Sequence, residues 1–159
     1  MGVDIAVVGI GNILLSDDGV GVLVLNELKS RYKKLPGNVE LIDGGTMGLD
    51  LLPFIEGKER VIFIDAVDFK AKPGTIGELN NSEIPHYFSS KLSVHQIALP
   101  DMIAAGQLLG TIPEEMCLIG IQPGTIETGY GLSPEIQRQV DVLIEKVINK
   151  LSGWGVVLN

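Results

Sequence analysis

Ile5-Ala6-Val7-Val8-Gly9-Ile10-Gly11-Asn12-Ile13-Leu14-Leu15-Ser16-Asp17-Asp18-Gly19-Val20-Gly21 is the stretch that decides the fold of this chain. It opens with an apolar run, Ile5 to Val8, which reads as a strand buried on both faces. Gly9 and Gly11 then let the backbone turn where residues with a Cβ would be strained. From Gly19 to Lys33 the apolar residues and the length suit a helix. Strand, glycine turn and helix make the first half of a βαβ unit. The acidic pair before the helix sets this unit apart from a nucleotide-binding loop. The dinucleotide fingerprint needs a third glycine where Leu14 stands, and a Walker loop needs a lysine that the turn lacks. A pyrophosphate is drawn to a helix N-terminus by its N–H groups, whereas Asp17 and Asp18 repel an anion there and invite a cation. The plainer alternative is that one of the two acids caps the helix.

Working outward, the rest of the chain repeats the alternation. Val39 to Ile42 reads as a second strand, closed by Asp43-Gly44-Gly45-Thr46, and Leu49 to Ile55 as a short helix stopped near Gly57. Asp43 either shapes that turn, caps the helix or contacts a ligand. Arg60 to Ala66 is the strongest strand signal, continuously apolar from Val61 to Ile64 as a central parallel strand is. Asp65 follows at its carboxyl end, with Asp68 three residues on. Ligands gather outside such strand ends, where the strand order reverses, although an aspartate there also shapes turns. Thr75 to Leu79 is expected as a short, antiparallel edge strand. Residues 80 to 98 are the least regular part and hold both histidines, His86 and His95. Ala98 to Leu109 reads as a helix ended by Gly110, and Met116 to Ile121 as the last strand. A glycine-rich excursion then reaches Ser133-Pro134-Glu135, a strong start for a helix over 134 to 151, with Ser133 as its cap. The expected fold is α/β: one domain, a mostly parallel central sheet of about five strands, and helices on both faces.

Composition excludes several functions. The 159 residues carry a net charge of −8, which argues against a nucleic-acid partner and against an anionic membrane surface. The single cysteine, Cys117, cannot form an internal disulfide, suits a reducing cytoplasm, and lies in an apolar run as a packed core residue does. No signal peptide or membrane-length apolar segment is visible, so a cytoplasmic location is expected.

If the first and third strands are adjacent, the acidic pair and Asp65 meet at one edge of the sheet. Two ionised carboxylates about 4 Å apart repel by roughly 4 kcal/mol at an effective dielectric of 20, so they need a shared proton or a cation. A nearby imidazole, His95, favours a borderline ion such as zinc or nickel over magnesium, with a coordination position left open.

The motifs Gly9-Ile10-Gly11-Asn12 with Asp17-Asp18-Gly19, Asp43-Gly44-Gly45-Thr46, Ile64-Asp65-Ala66, His95-Gln96, and Gly120-Ile121-Gln122-Pro123 with Gly131-Leu132-Ser133-Pro134 occur in one order along nearly the whole chain. In that order and spacing the chain resembles the NiFe-hydrogenase maturation endopeptidases. The resemblance implies a single peptidase domain over residues 1–159. It also implies an enzyme that removes the C-terminal extension of a nickel-loaded hydrogenase large-subunit precursor. It selects Asp18, Asp65 and His95 as both the metal-contacting and the catalytic set, over Asp68 and His86, and leaves Asp17 as a helix cap. Asp43, Gly44 and Gly45 are its weaker substrate-binding candidates. The nickel belongs to the substrate, and zinc or another divalent ion is expected to occupy the site in isolation. Two other readings stand beside it: a nucleotide- or SAM-binding domain using Gly9 and Gly11, and a catalytically silent binding module that keeps the fold.

Overall fold

The computed structural model describes residues 4–84 and 94–158, with side chains for 4–84 and 101–158. A five-stranded sheet runs in the order β2-β1-β3-β5-β4. Its strands are β1 (Ile5–Ile10), β2 (Val39–Gly45), β3 (Arg60–Ala66), β4 (Ile76–Asn80) and β5 (Glu115–Ile121). β1 pairs in parallel with β2 and with β3, and β3 in parallel with β5; β4 is antiparallel at the edge, as expected for residues 75 to 79. The chain therefore reverses direction across the sheet at β1, and the crevice between the carboxyl ends of β1 and β3 is the topological switch point.

The central strands carry unbroken apolar runs, Ile5 to Val8, Val61 to Ile64 and Met116 to Ile119, because both faces are covered. Ile5 and Val7 of β1 join Ile62, Ile64 and Ile119 under α1 (Val20–Arg31) and α5 (Val140–Gly153), where Val24, Leu25, Ile144 and Val147 are buried. The intervening residues Ala6 and Val8 join Phe63 and Leu118 on the other face. That face is covered by a 3-10 turn at Gly48–Leu51, by α2 (Leu52–Ile55), and by α3 (Val94–Leu109) through Met102 and Ile103. Trp154 follows α5, with the Arg60 guanidinium carbon 5.4 Å and the Lys150 ammonium 5.7 Å from its ring centre, which fixes the tail across the amino ends of the strands. Among the described residues no helix is long and apolar enough to cross a membrane.

Three element boundaries differ from the sequence reading. β2 continues through Asp43 to Gly45, because that segment still lies beside Gly9 and Ile10 of β1. The helix expected at 98–109 begins at Val94, so Pro100 lies within it instead of in its first turn. The helix expected over 134–151 is two: α4 (Pro134–Gln137) and α5, separated by Arg138 and Gln139. Gln139 accounts for the interruption, since its side-chain amide donates to the Gly74 carbonyl at 3.0 Å and ties the corner to the start of β4.

The acidic first unit is held to the sheet by contact between backbones. Gly9 does not turn the chain; it lies inside β1, where a Cβ would stand 2.4 Å from the Gly21 carbonyl oxygen. A Cβ on Gly21 would lie 2.1 Å from the Ile64 oxygen and 2.4 Å from the Ile10 oxygen. Helix α1 thus rests on the ends of β1 and β3 at a distance that only glycine permits. Gly21→Ala is expected to destabilise the protein by about 3 kcal/mol, since backbone atoms cannot rotate away. For a chain of this size that lowers the melting temperature by roughly 6–12 °C in a thermal scan. A loss below about 1 kcal/mol would mean that α1 can lift off the sheet freely.

Burial also settles the state of the lone thiol. Cys117 lies inside β5, 1% exposed. Desolvation, and after it the Glu78 carboxylate, push its pKa up from 9.0 to about 12. An acid whose folded pKa is raised leaves stability unchanged below the unfolded value. Stability then falls as pH rises from about 9 towards 12, by up to ~1.4 kcal/mol per pH unit. Native protein at pH 8 is expected to resist iodoacetamide, with alkylation complete only in urea; rapid native alkylation would place the thiol outside the core.

Candidate active site

The site is built on the turn after β1. Gly11 has φ +138°, and a Cβ there would lie 2.0 Å from the Asp18 carbonyl oxygen, so the chain folds back on itself at this residue. Its N–H donates to the Gly45 carbonyl at 2.9 Å, fastening the turn to the end of β2. The Asn12 side-chain oxygen accepts the Leu14 N–H at 2.9 Å, a local Asx turn. The Asn12 backbone N–H donates to Asp18 Oδ2 at 3.0 Å. Ser16–Gly19 then forms a 3-10 turn that packs against β3 and leads into α1.

The two adjacent acids have different partners. Asp17 is fully buried, and it does not cap the helix, because neither the 3-10 turn nor α1 has a side-chain cap. Its carboxylate instead reaches across to the segment after β5. Oδ1 accepts the Ser133 N–H at 2.7 Å. Oδ2 accepts the Gly124 N–H at 2.9 Å, the Thr125 N–H at 3.0 Å and the Ser133 hydroxyl at 2.7 Å. Burial alone would raise its pKa, but the hydrogen bonds from Ser133, Thr125 and Gly124 together outweigh it and hold the carboxyl below its ordinary value of 3.8. Asp17 therefore contributes stability above that value and loses it as pH falls through the lowered one. Ser133 occupies the N-cap position of α4 as expected, without a side-chain cap hydrogen bond; its hydroxyl donates to Asp17.

Asp65 is fully buried at the carboxyl end of β3, opposite Gly120 of β5. Its Oδ1 accepts the Ala66 N–H at 2.8 Å. Asp18, 4% exposed, sits on the turn that packs against the same strand, so the adjacency of β1 and β3 brings both acids to one rim. Asp68 is exposed, and its Oδ1 accepts the Lys70 N–H at 2.9 Å. Asp43 is also exposed and accepts the Gly45 N–H at 3.0 Å, the turn-making role weighed for it above. It lines a groove of about 440 Å³ with Gly11, Asn12, Gly45, Thr46 and Tyr130. Gly44 is buried beneath this groove, its Cα facing the Val8 side chain. His95 is the second residue of α3, but its side chain lies outside the described residues, as does all of His86. Among the described residues no three His, Cys, Asp or Glu side chains are gathered to hold a metal; the rim carries the two carboxylates.

Two contributors are absent from the sequence reading. Gln122, buried after β5, accepts the Phe69 N–H at 2.6 Å and the Ala71 N–H at 3.3 Å through Oε1, shaping the loop that follows Asp65. The Gly124-Thr125 backbone with Ser133 cradles Asp17. The available signal was the length of the structureless excursion between β5 and α4, since long loops in compact domains serve a purpose.

The chain thus has a doubly wound α/β fold with two acids at its switch point, and known proteins share the fold. A sequence profile described as hydrogenase maturation protease matches residues 22–150. The hydrogenase expression/formation protein HupD of Rhodobacter capsulatus is 42% identical over 154 residues, covering 96% of this chain and 73% of that protein. The hydrogenase 2 maturation protease of Escherichia coli K12 is 38% identical over 153 residues, covering 96% and 93%. The solved hydrogenase-maturating endopeptidase HybD of Escherichia coli superposes with a TM-score of 0.93 at 37% identity, covering 98% of this chain and 96% of that one. The chain belongs to the hydrogenase maturation protease family and is a peptide hydrolase of the endopeptidase type.

Proposed function

We propose that this endopeptidase removes the C-terminal extension of a nickel-loaded NiFe-hydrogenase large-subunit precursor in the cytoplasm, contacting the substrate's nickel through Asp18, Asp65 and His95. The observation that carries the reading is the division between the two neighbouring acids. Both oxygens of Asp17 are committed to four donors, which leaves Asp18 as the acid of the pair to work with Asp65. Two carboxylates and an imidazole form a mixed oxygen and nitrogen donor set suited to nickel, and in isolation to zinc or another borderline divalent ion. Such a sparse set grips an ion already held by the substrate's own ligands without stripping it. The ion supplies Lewis-acid polarisation of water and of the scissile carbonyl. This chain's residues supply orientation: the three side chains fix the ion's position, and the groove beside Asn12 receives the adjoining peptide, with Asp43 at its edge and Gly45 in its wall. Gly45 bears no side chain where an extended substrate backbone would pass. A second mechanism has Asp18 and Asp65 sharing one proton, as paired carboxylates in aspartic proteases do, and rests on the burial of both acids.

The nucleotide-binding alternative fares worse in this geometry. The glycine turn is folded onto the Asp18 carbonyl and the end of β2, and the helix behind it is preceded by two buried acids.

Processing of a nickel-loaded precursor, read by mass spectrometry as the shortened product, tests the reading. Asp18→Asn, Asp65→Asn and His95→Ala are each expected to lower the rate at least 100-fold while the proteins stay folded. Unchanged cleavage by His95→Ala would remove nickel contact from the mechanism. In a thermal-shift assay zinc or nickel is expected to raise the melting temperature and NAD, ATP or SAM to leave it unchanged. The reverse pattern would restore the nucleotide reading.

A further inference from the structure

The excursion between β5 and α4 is bound to the acid turn more closely than a connection between two elements requires. Besides the four bonds to the Asp17 carboxylate, the Asp17 N–H donates to the Thr125 carbonyl at 3.1 Å and the Ser16 N–H to the Gly129 carbonyl at 2.9 Å. The Gly129 N–H returns to the Leu14 carbonyl at 2.9 Å, and the Ser16 hydroxyl donates to the Glu127 carbonyl at 2.7 Å. Leu15 and Gly129 form an isolated parallel bridge. Ser16 itself has φ +52°, a left-handed conformation that a serine keeps only where its surroundings impose it. The strained residue, the buried carboxylate and the working acid are consecutive: Ser16, Asp17, Asp18.

We propose that Asp17 is a positioning residue for this reaction, its buried carboxylate clamped by Gly124, Thr125 and Ser133 so that the 122–133 segment acts as a strap holding Asp18 at the rim. The inference rests on the reading of Asp18 as a working acid. A 3-10 turn of four residues with a glycine at its end has little rigidity of its own. Asp18 accepts the Asn12 N–H at 3.0 Å, donates its own N–H to the Leu15 carbonyl at 3.1 Å, and follows directly on the strapped backbone of Asp17. Misplacing a reacting group by about 1 Å can cost on the order of 100-fold in rate, so loosening the strap reaches the chemistry without touching substrate.

The test measures kcat and KM for precursor processing in Asp17→Ala, Ser133→Ala, Ser133→Thr and Asp18→Asn, at a temperature well below each variant's melting point. Asp17→Ala is expected to lose at least tenfold in kcat with KM within threefold of wild type. Ser133→Ala is expected to lose less, and Ser133→Thr, which keeps the hydroxyl, to recover most of the difference. If Asp17→Ala does not fold, the Ser133 pair carries the measurement alone. Wild-type kcat in folded Asp17→Ala or in Ser133→Ala, whatever the melting points, overturns the strap while an inactive Asp18→Asn leaves the reading of the site standing. Full activity in Asp18→Asn overturns that reading itself, and the strap with it.

Discussion

A carboxylate with no exposed surface is the constraint around which one end of this molecule is assembled. Taking an ion of that size out of water costs several kcal/mol even after the protein relaxes. Asp17 offsets that cost with charge-assisted hydrogen bonds from two backbone amides of one loop turn, and from the amide and hydroxyl of Ser133 ahead of α4. Removing the charge would forfeit four hydrogen bonds between the loop and the acid turn at once. Two segments more than one hundred residues apart are thereby fixed to each other. The join lies over the crevice that the β1–β3 pairing opens.

The sheet supplies the complementary rigidity. β1 is paired on both sides, and α1 rests on it through Gly9 and Gly21 with no side chain between. Asp65 belongs to β3, itself paired on both sides, so its backbone position follows from sheet geometry. Asp18 follows a turn that the sheet alone does not determine, and there the additional hydrogen bonding is concentrated.

This contrast also explains what was legible in the sequence. The strands were, because continuous apolar runs such as Val61 to Ile64 have no other stable home than a covered parallel sheet. The position of Asp65 at a strand's carboxyl end followed from the same pattern, whereas the edge strand β4 was read from the turn at Pro73-Gly74 and the adjacency of β1 and β3 entered only as a condition. Asp17 was misread as a cap because an acid before a helix has a strong local explanation, while its true partners are distant. Ser133 stands at the N-cap position that Ser-Pro-Glu signals, but its hydroxyl donates to the distant Asp17 carboxylate and makes no cap bond, a partner that local sequence does not show. The break between α4 and α5 was invisible because Ile136, Val140, Ile144 and Val147 keep one apolar face across it, and the interruption comes from Gln139 bonding the Gly74 carbonyl.

Adjacent acids in a first turn look interchangeable on paper, and the fold makes them unlike. Asp17 is saturated, so a cation placed beside it would have to break bonds that the fold depends on. Asp18 meets the backbone N–H of Asn12, and Asn12 also lines the groove that runs towards Asp43 and Gly45. That shared residue links the acid rim to a groove formed by the motifs of β1 and β2 together. The two aspartates therefore differ in structural role: the first fastens the turn to the loop after β5, and the second, one residue nearer α1, is bonded back to the turn after β1.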